Sequence, residues 1–540
     1  MKRLLFFTFF CLVSCAKDAP NGPNVVLISI DSVRADHLGV YGHRPAYAPE
    51  ISVTPNIDAL AADGVTFDQA WATSSWTLPS HMALMTGLSD LSHAVIDDTF
   101  KLDPLRHTMA ESFQAAGYST AGYYSGPYLD PKYGFGRGFE DYQSAMMSPE
   151  ELAKNLQRMK EERVRRGQAP PSSADLKAFR DRVSHWDITS PRVNSLALAF
   201  LKEHTDSPFF LFVHYFDAHY DHIPDAAQKG LAHQFDPNYA GNFSGENWFF
   251  NPQVRSPQPP FTRRISDRDL GHIQALYDAE IHWVDAHVGG IIQELKTQGL
   301  WENTVIALVS DHGDEFFEHG SIGHRSTLYE ELLHAALIIR APGTTLPGER
   351  KKESVALYDV APTLLDLAQR APLKESDGHS LRSTFFGEPI SSRGAFGFIF
   401  TGTAAGPQIQ ESWRDEQFTV LRPFQISRKG SSDQGIALVP SSVQPLQIFD
   451  RKADPQEQSP LPANDSRRAA ILERYKSDFL HAQKERQSRL RSPMSQRYSP
   501  AMTMEELATL TELGYVDGDV SQEGQVKTPP LLPLPVPGKL

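Results

Sequence analysis

Cysteine is nearly missing from this 540-residue chain, which carries only Cys11 and Cys15. Both sit in a leader described below, and once that leader is removed the remaining domain has neither a disulfide nor a free thiol. Such a domain must draw its stability from a large core. Basic charge is also in short supply: 52 lysines and arginines against 66 acidic residues leave a formal net charge of −14. A nucleic-acid binder shows a basic footprint, so no nucleic-acid partner is expected. An anionic substrate stays compatible, because a bound divalent cation reverses the local field. With 40% apolar and 22% charged residues the composition is that of a globular protein.

Long apolar runs are absent at the N-terminus too. Leu4 to Val13 is too short to cross a bilayer, and with Lys2 and Arg3 ahead of it the stretch has the form of an export signal. It ends in Leu12-Val13-Ser14-Cys15, which is similar to a bacterial lipobox, whose cysteine becomes the lipidated first residue. Residues 1–15 are therefore expected to be a lipoprotein signal peptide and 16–23 a polar tether, with an ordinary cleaved signal as the alternative. The lipobox implies an exported protein of the bacterial cell envelope, periplasm-facing or on the surface, held to the membrane by a lipid anchor at Cys15. Each buried methylene of such an anchor contributes about 0.8 kcal/mol.

From Asn24 strand and helix signals alternate, the mark of a mostly parallel sheet covered on both faces. Val25 to Ile30, Phe209 to Phe216 and Thr304 to Ser310 are apolar, β-branched or aromatic runs that predict buried central strands. Each runs directly into acidic and histidine residues: Asp31, then Asp217 and His219, then Asp311 and His312. Ligand sites in open α/β sheets lie beyond the carboxyl ends of the strands. Residues 150–182 are charge-rich and predict a surface insertion, and 221–265 a long excursion near the active site or packed on the surface. A smaller unit is expected over 381–520, following a main domain over 24–380. The proline-rich stretch 521–540 is expected to be disordered.

Three motifs resemble the sulfatase family of the alkaline phosphatase superfamily. The first runs from Asn24 through Asp31-Ser32-Val33-Arg34-Ala35-Asp36-His37-Leu38-Gly39, followed by Thr54-Pro55-Asn56-Ile57-Asp58 and Gly64-Val65-Thr66-Phe67. The second, Thr77-Leu78-Pro79-Ser80-His81 through Thr86-Gly87, is similar to the family's nucleophile motif Cys/Ser-x-Pro-Ser-Arg. The third is Ser310-Asp311-His312-Gly313, running on through Glu318-His319-Gly320 and Gly323-His324 to Tyr329-Glu330-Glu331. With Phe216-Asp217-Ala218-His219 and Ile448-Phe449-Asp450, the resemblance spans about residues 24–460. It implies an α/β, alkaline-phosphatase-like sandwich: a large mostly parallel central sheet flanked by helices, plus a smaller C-terminal α+β subdomain.

Asp31, Asp311 and His312 offer two carboxylates and an imidazole, a set suited to one divalent metal ion, Ca, Mg, Mn or Zn. The plain alternative for each aspartate is a helix cap. Thr77 precedes Pro79 at a helix start, where the macrodipole favours an alkoxide, and its hydroxyl suits both a nucleophile and a metal ligand. The resemblance places His219 and His324 beside the transferred group, where an imidazole can protonate the leaving oxygen. Asp217, His219, Asp221 and His222 with His324 form an alternative second metal site. Asp36, Asp58 and His319 are expected to stabilise the fold.

The departures from the family pattern shift the expected chemistry. Known sulfatases convert Cys or Ser at this position to formylglycine; Thr77, branched at Cβ, cannot give that aldehyde. His81 stands for the motif arginine, Ser32 for a second acidic residue, and the Lys-Trp-His stretch that holds sulfate is absent, Gly122 to Gly126 occupying its region. The expectation is a metal-dependent hydrolase or transferase acting on a small anionic phosphate or phosphonate ester with Thr77 as nucleophile. A sulfuric ester hydrolase working without formylglycine, and a catalytically silent binding lipoprotein, are the alternatives. Substrate, metal identity and count, and oligomeric state are not written in the sequence.

Overall fold

The computed structural model describes residues 22–489 apart from 170–186, 220, 247, 249–250, 257–261, 389, 391–392, 402–407, 429–435 and 442–443. The expected signal peptide, all but the end of the tether, part of the 150–182 insertion and everything beyond 489, including the 521–540 stretch, lie outside the described residues.

The strands, in chain order, are β1 (Asn24–Ile30), β2 (Val65–Trp71), β3 (Ser119–Tyr124), β4 (Asp141–Ser144), β5 (Phe209–Tyr215), β6 (Thr304–Ser310), β7 (Glu315–Phe316), β8 (Ile322–Gly323), β9 (His334–Ala335), β10 (Leu337–Arg340) and β11 (Glu349–Ala356). Nine of them form one sheet in the order β11-β2-β10-β6-β1-β5-β3-β4, with β9 on β2. β1 pairs in parallel with β5 and β6, and β3 with β5 and β4, while β10 runs antiparallel to its neighbours β2 and β6.

β1 lies at the centre because its residues are apolar on both faces. Val25 and Leu27 pack into one hydrophobic layer and Val26, Ile28 and Ile30 into the other, and all five are at most 1% exposed. This is the period-two alternation of a strand covered twice. Each such side chain contributes roughly 1.5–3 kcal/mol by burial. The long helix Asp267–Thr297 and the helix Ser190–Glu203 supply one covering layer; the helices Thr77–Thr86 and Val360–Leu367 supply the other.

A second, antiparallel sheet follows: β12 (Ala395–Thr401), β13 (Gln408–Arg414), β14 (Phe418–Arg428), β15 (Ile436–Pro440) and β16 (Gln447–Asp450). The helix Arg468–Arg489 covers it with Ile471, Tyr475 and Phe479. It is joined to the main sheet by hydrogen bonds from Phe398 N to Thr73 O at 2.7 Å and from Ser74 Oγ to Phe398 O at 2.8 Å. Within the charge-rich insertion, Pro149–Arg165 is a helix whose N-terminus is closed by a Ser148–Glu151 capping box. In the 221–265 stretch, Leu231, Phe235, Trp248 and Val254 are buried, so its described part packs as an excursion on the domain.

Candidate functional site

Register brings the first ligand candidates together. Ile30 of β1 faces Ser310 of β6 on one side and Tyr215 of β5 on the other. The next residues, Asp31 and Asp311, therefore leave neighbouring strands side by side at the carboxyl edge. Ser32 then turns the chain with φ +56°, a left-handed conformation that costs a non-glycine residue about 1–3 kcal/mol and gathers at functional sites. The turn is held from three sides. Ser32 N donates to Asp311 Oδ1 at 3.0 Å, Ser32 Oγ to Asp31 Oδ1 at 2.8 Å, and Tyr277 OH to Ser32 O at 2.6 Å.

Thr77 is the first residue of the helix Thr77–Thr86, entered from an extended Trp76. Its Oγ1 lies 3.3 Å from Asp31 Oδ2 and 3.5 Å from His312 Nε2. His312 Nδ1 donates to Gly313 O at 3.0 Å, which leaves the Nε2 lone pair facing the carboxylates, 3.3 Å from Asp311 Oδ2 and 3.8 Å from Asp31 Oδ1. Gly313 is required here: a Cβ would stand 2.1 Å from Glu331 O.

His219 and His324 close the site. Their rings are 5.0 Å apart, and that of His324 is 4.7 Å from His312. His324 Nδ1 is hydrogen-bonded to Asp314 Oδ1 at 2.7 Å. Every residue named from the sequence as catalytic or metal-binding, Asp31, Thr77, His219, Asp311, His312 and His324, thus lies in one cluster at most 9% exposed.

Three partners were missed. His214 points from β5 to within 3.4 Å of Asp31 Oδ2 through Nε2, its Nδ1 donating to Ser125 O at 2.8 Å. His81, one helical turn beyond Thr77, donates from Nδ1 to Thr77 O at 3.0 Å and accepts at Nε2 from Ser29 Oγ at 2.8 Å. Asp314 orients His324. The available signal for His214 was a lone imidazole inside an otherwise apolar strand.

Two residues of the alternative second metal site are engaged elsewhere. Asp217 accepts from Thr189 N, Thr189 Oγ1, Ser190 N and Trp283 Nε1 at 2.7–3.1 Å, so it caps the helix Ser190–Glu203. His222 Nδ1 pairs with Glu280 at 2.8 Å. His222 keeps an unpartnered Nε2, and its ring acts on Asp314 and His219, while His324 groups with His312 and Asp314. Asp58 and Asp36 also serve the fold: Asp58 accepts from Val40 N and Thr54 Oγ1, and Asp36 pairs with Arg34.

The electrostatics follow from burial and charge. Burial alone would raise Asp31, yet the close approach of the His214 ring at 3.4 Å and the surrounding histidines His219 and His312 hold it far below the usual carboxylate range. Burial also works against charge on His312, but Asp311 and Asp31 override it and raise the imidazole. His214 is lowered by burial, and His324 is pushed well down by burial with the His312 charge adding to it. Asp314 is raised to about 6, burial prevailing over the neighbouring histidines.

These residues fit a divalent cation. Bonds of about 2.1 Å place ligand atoms about 3.0–3.4 Å apart in octahedral or tetrahedral geometry. The spacings of Asp311 Oδ2 and Thr77 Oγ1 to their neighbours, 3.3–3.5 Å, match that edge length. Asp311 Oδ2 and His214 Nε2 are buried without any hydrogen-bond partner, and buried polar atoms of this kind call for a partner that the protein itself does not supply.

The family model described as Sulfatase matches residues 23–370. An arylsulfatase of Clostridium perfringens is 26% identical over 397 residues, 67% of this chain and 78% of that protein. The multifunctional alkaline phosphatase superfamily protein PehA of Trinickia caryophylli is 24% identical over 503 residues, 84% of this chain and 93% of that protein. Among solved structures, the phosphonate monoester hydrolase of Agrobacterium radiobacter superimposes with a TM-score of 0.63 at 23% identity, covering 88% of this chain and 99% of its own. With its sheet order, its strand-end carboxylates and this match over most of its length, the chain belongs to the sulfatase family.

Proposed function

We propose that this ester hydrolase cleaves phosphodiesters or phosphonate monoesters with Thr77 as nucleophile, and that Asp31, Asp311, His312 and Thr77 hold its divalent metal. One observation carries the reading: an unmodifiable threonine hydroxyl stands at a helix N-terminus in contact with both Asp31 and His312. A bound divalent ion would neutralise charge on the nucleophile and on the transferred group. Everything else falls to the chain. Thr77 Oγ1, hydrogen-bonded to Asp31, gives up its proton to solvent as the alkoxide that the helix N-terminus and a bound cation would favour. It attacks phosphorus in line, and regains a proton when it is released by hydrolysis; the bond to the leaving oxygen breaks on the opposite side. His219 protonates that oxygen, and a phosphothreonine remains. Asp314 fixes the proton of His324 on Nδ1, so Nε2 presents a lone pair that takes the proton of the attacking water as the P–Oγ bond is hydrolysed.

Among the described residues no lysine or arginine pairs with the carboxylates of Asp31, Asp311 or Asp314, while the charge of Arg325 reaches His324. The similarity to an arylsulfatase keeps sulfate monoesters as the second reading. Thr77→Ala is expected to abolish turnover with the fold intact, and Thr77→Ser to retain it. Assays on aryl sulfate, phosphate monoester, phosphodiester and phosphonate monoester side by side decide the class; a clear preference for sulfate defeats the phosphorus assignment. The same proposal places the enzyme at the cell envelope through lipidated Cys15, and membrane release of a Cys15→Ala chain tests that part separately.

A further inference from the structure

Outside the cluster described above, two imidazoles and a carboxylate converge from three separate segments. His37 ends the short 3-10 helix Ala35–His37, His43 follows the next one, Gly39–Tyr41, and Asp278 lies within the long helix Asp267–Thr297. Gly42, at φ +98°, turns the chain so that His43 comes back over His37, with the two rings 4.6 Å apart and tilted by 31°. His37 Nδ1 lies 2.6 Å from Asp278 Oδ1, and His43 Nε2 lies 2.9 Å from Asp278 Oδ2. Asp278 and His37 are buried, while 16% of the His43 side chain faces solvent. None of the three takes part in the chemistry above.

We propose that His37 Nδ1, His43 Nε2 and the Asp278 carboxylate bind a divalent transition ion of the zinc class, separate from the ion proposed at Asp31. One ligand atom from each residue lies within 4.8 Å of the others. Bonds of about 2.1 Å to a single ion need only shifts of a few tenths of an ångström from that arrangement. Two imidazoles with one carboxylate favour zinc, cobalt or nickel over magnesium or calcium, which prefer oxygen. Three protein ligands leave a fourth position for water, and the exposed side of His43 gives it access. Without the ion, each imidazole shares a proton with one oxygen of Asp278. With it, each carries its proton on the other ring nitrogen and turns the same lone-pair position to the metal, so the carboxylate is never buried alone.

The place of this site in the fold gives the ion a supporting part. The His37 ring meets Tyr277 edge-on at 4.9 Å, and Tyr277 OH is the donor that holds Ser32 O at 2.6 Å in the turn after Asp31. The ion ties the segment 37–43 to the long helix next to that support, and does not enter the reaction.

Titration calorimetry of the full chain with zinc ions, after dialysis against a chelator, tests the assignment, with magnesium ions as counter-probe. The unaltered chain should take up one more equivalent of zinc than His43→Gln, and magnesium should show no such difference. Only the difference between the two chains is read, so the result does not depend on whether an ion also binds at Asp31 and Asp311. Equal zinc stoichiometry in the unaltered chain and His43→Gln overturns the proposal, and so does a difference as large with magnesium as with zinc. Should His43→Gln fail to fold by circular dichroism, Asp278→Asn keeps the shape without the charge, and an undiminished zinc count there is equally fatal.

Discussion

Raising the pH through about 9 should loosen the join between the main domain and the segment after β16, and His319 is the group responsible. Its Nδ1 lies 2.8 Å from Glu331 Oε1 and its Nε2 3.0 Å from the carbonyl of Glu457. A carboxylate and a carbonyl are both acceptors, so both ring nitrogens must carry protons for both bonds to form. The ring also stacks on Tyr329 at 3.6 Å and 2°. Burial alone would lower this imidazole, but the hydrogen bond and charge of Glu331 raise it from 6.5 to about 9. At 1.36 kcal/mol per pH unit, that rise is worth about 3 kcal/mol of stability. The side chain is only 9% exposed, so solvent screening removes little of it. Because the folded value lies above the unfolded one, the contribution is complete below pH 6.5 and is lost as pH rises through 9. Urea unfolding of the parent and of His319→Gln at pH 6, 8 and 10 isolates the effect, since other titrations cancel in the difference. The gap should exceed the pH-independent cost of lost packing by about 3 kcal/mol at pH 6 and close toward that cost at pH 10. A gap that stays constant, or widens with pH, refutes the imidazolium bridge.

Asp311→Ala removes a carboxylate from the centre of the proposed metal set, and its metal content after dialysis, read by elemental analysis, should fall at least about tenfold. Asp314→Asn leaves the Thr77 environment in place but releases the tautomer of His324; kcat should drop by about a hundredfold with KM little changed, and an equal rise in KM would contradict the positioning role. Gly313→Ala pushes a methyl into Glu331 O and should cost more than about 2 kcal/mol in unfolding experiments, together with loss of activity through His312.

Much of this site was legible along the chain. β1, β5 and β6 are apolar on both faces, which only a doubly covered strand requires, so their position in the sheet interior follows from burial alone. Asp31, Asp311 and His312 were visible because each begins where such a run stops, at the edge where open sheets hold ligands. Thr77 was visible because a hydroxyl two residues before a proline marks a helix start. Its branched Cβ, a purely local property, already turned the expectation away from formylglycine.

The remainder depended on distances that no local pattern encodes. His214 became a site residue because register sets it opposite Ser29, two residues before Asp31 and on the same face of the sheet. His81 joined through the helical turn that carries it back under Thr77. Asp217 looked equivalent to its neighbours at the strand edge, yet it caps a helix because Thr189, 28 residues away, folds onto it. Residue type and periodicity, acting over a few positions, determined the strands and the chemistry they deliver. Which of those groups converge was decided by the packing of segments remote in sequence, because only the folded chain brings their atoms within bonding distance.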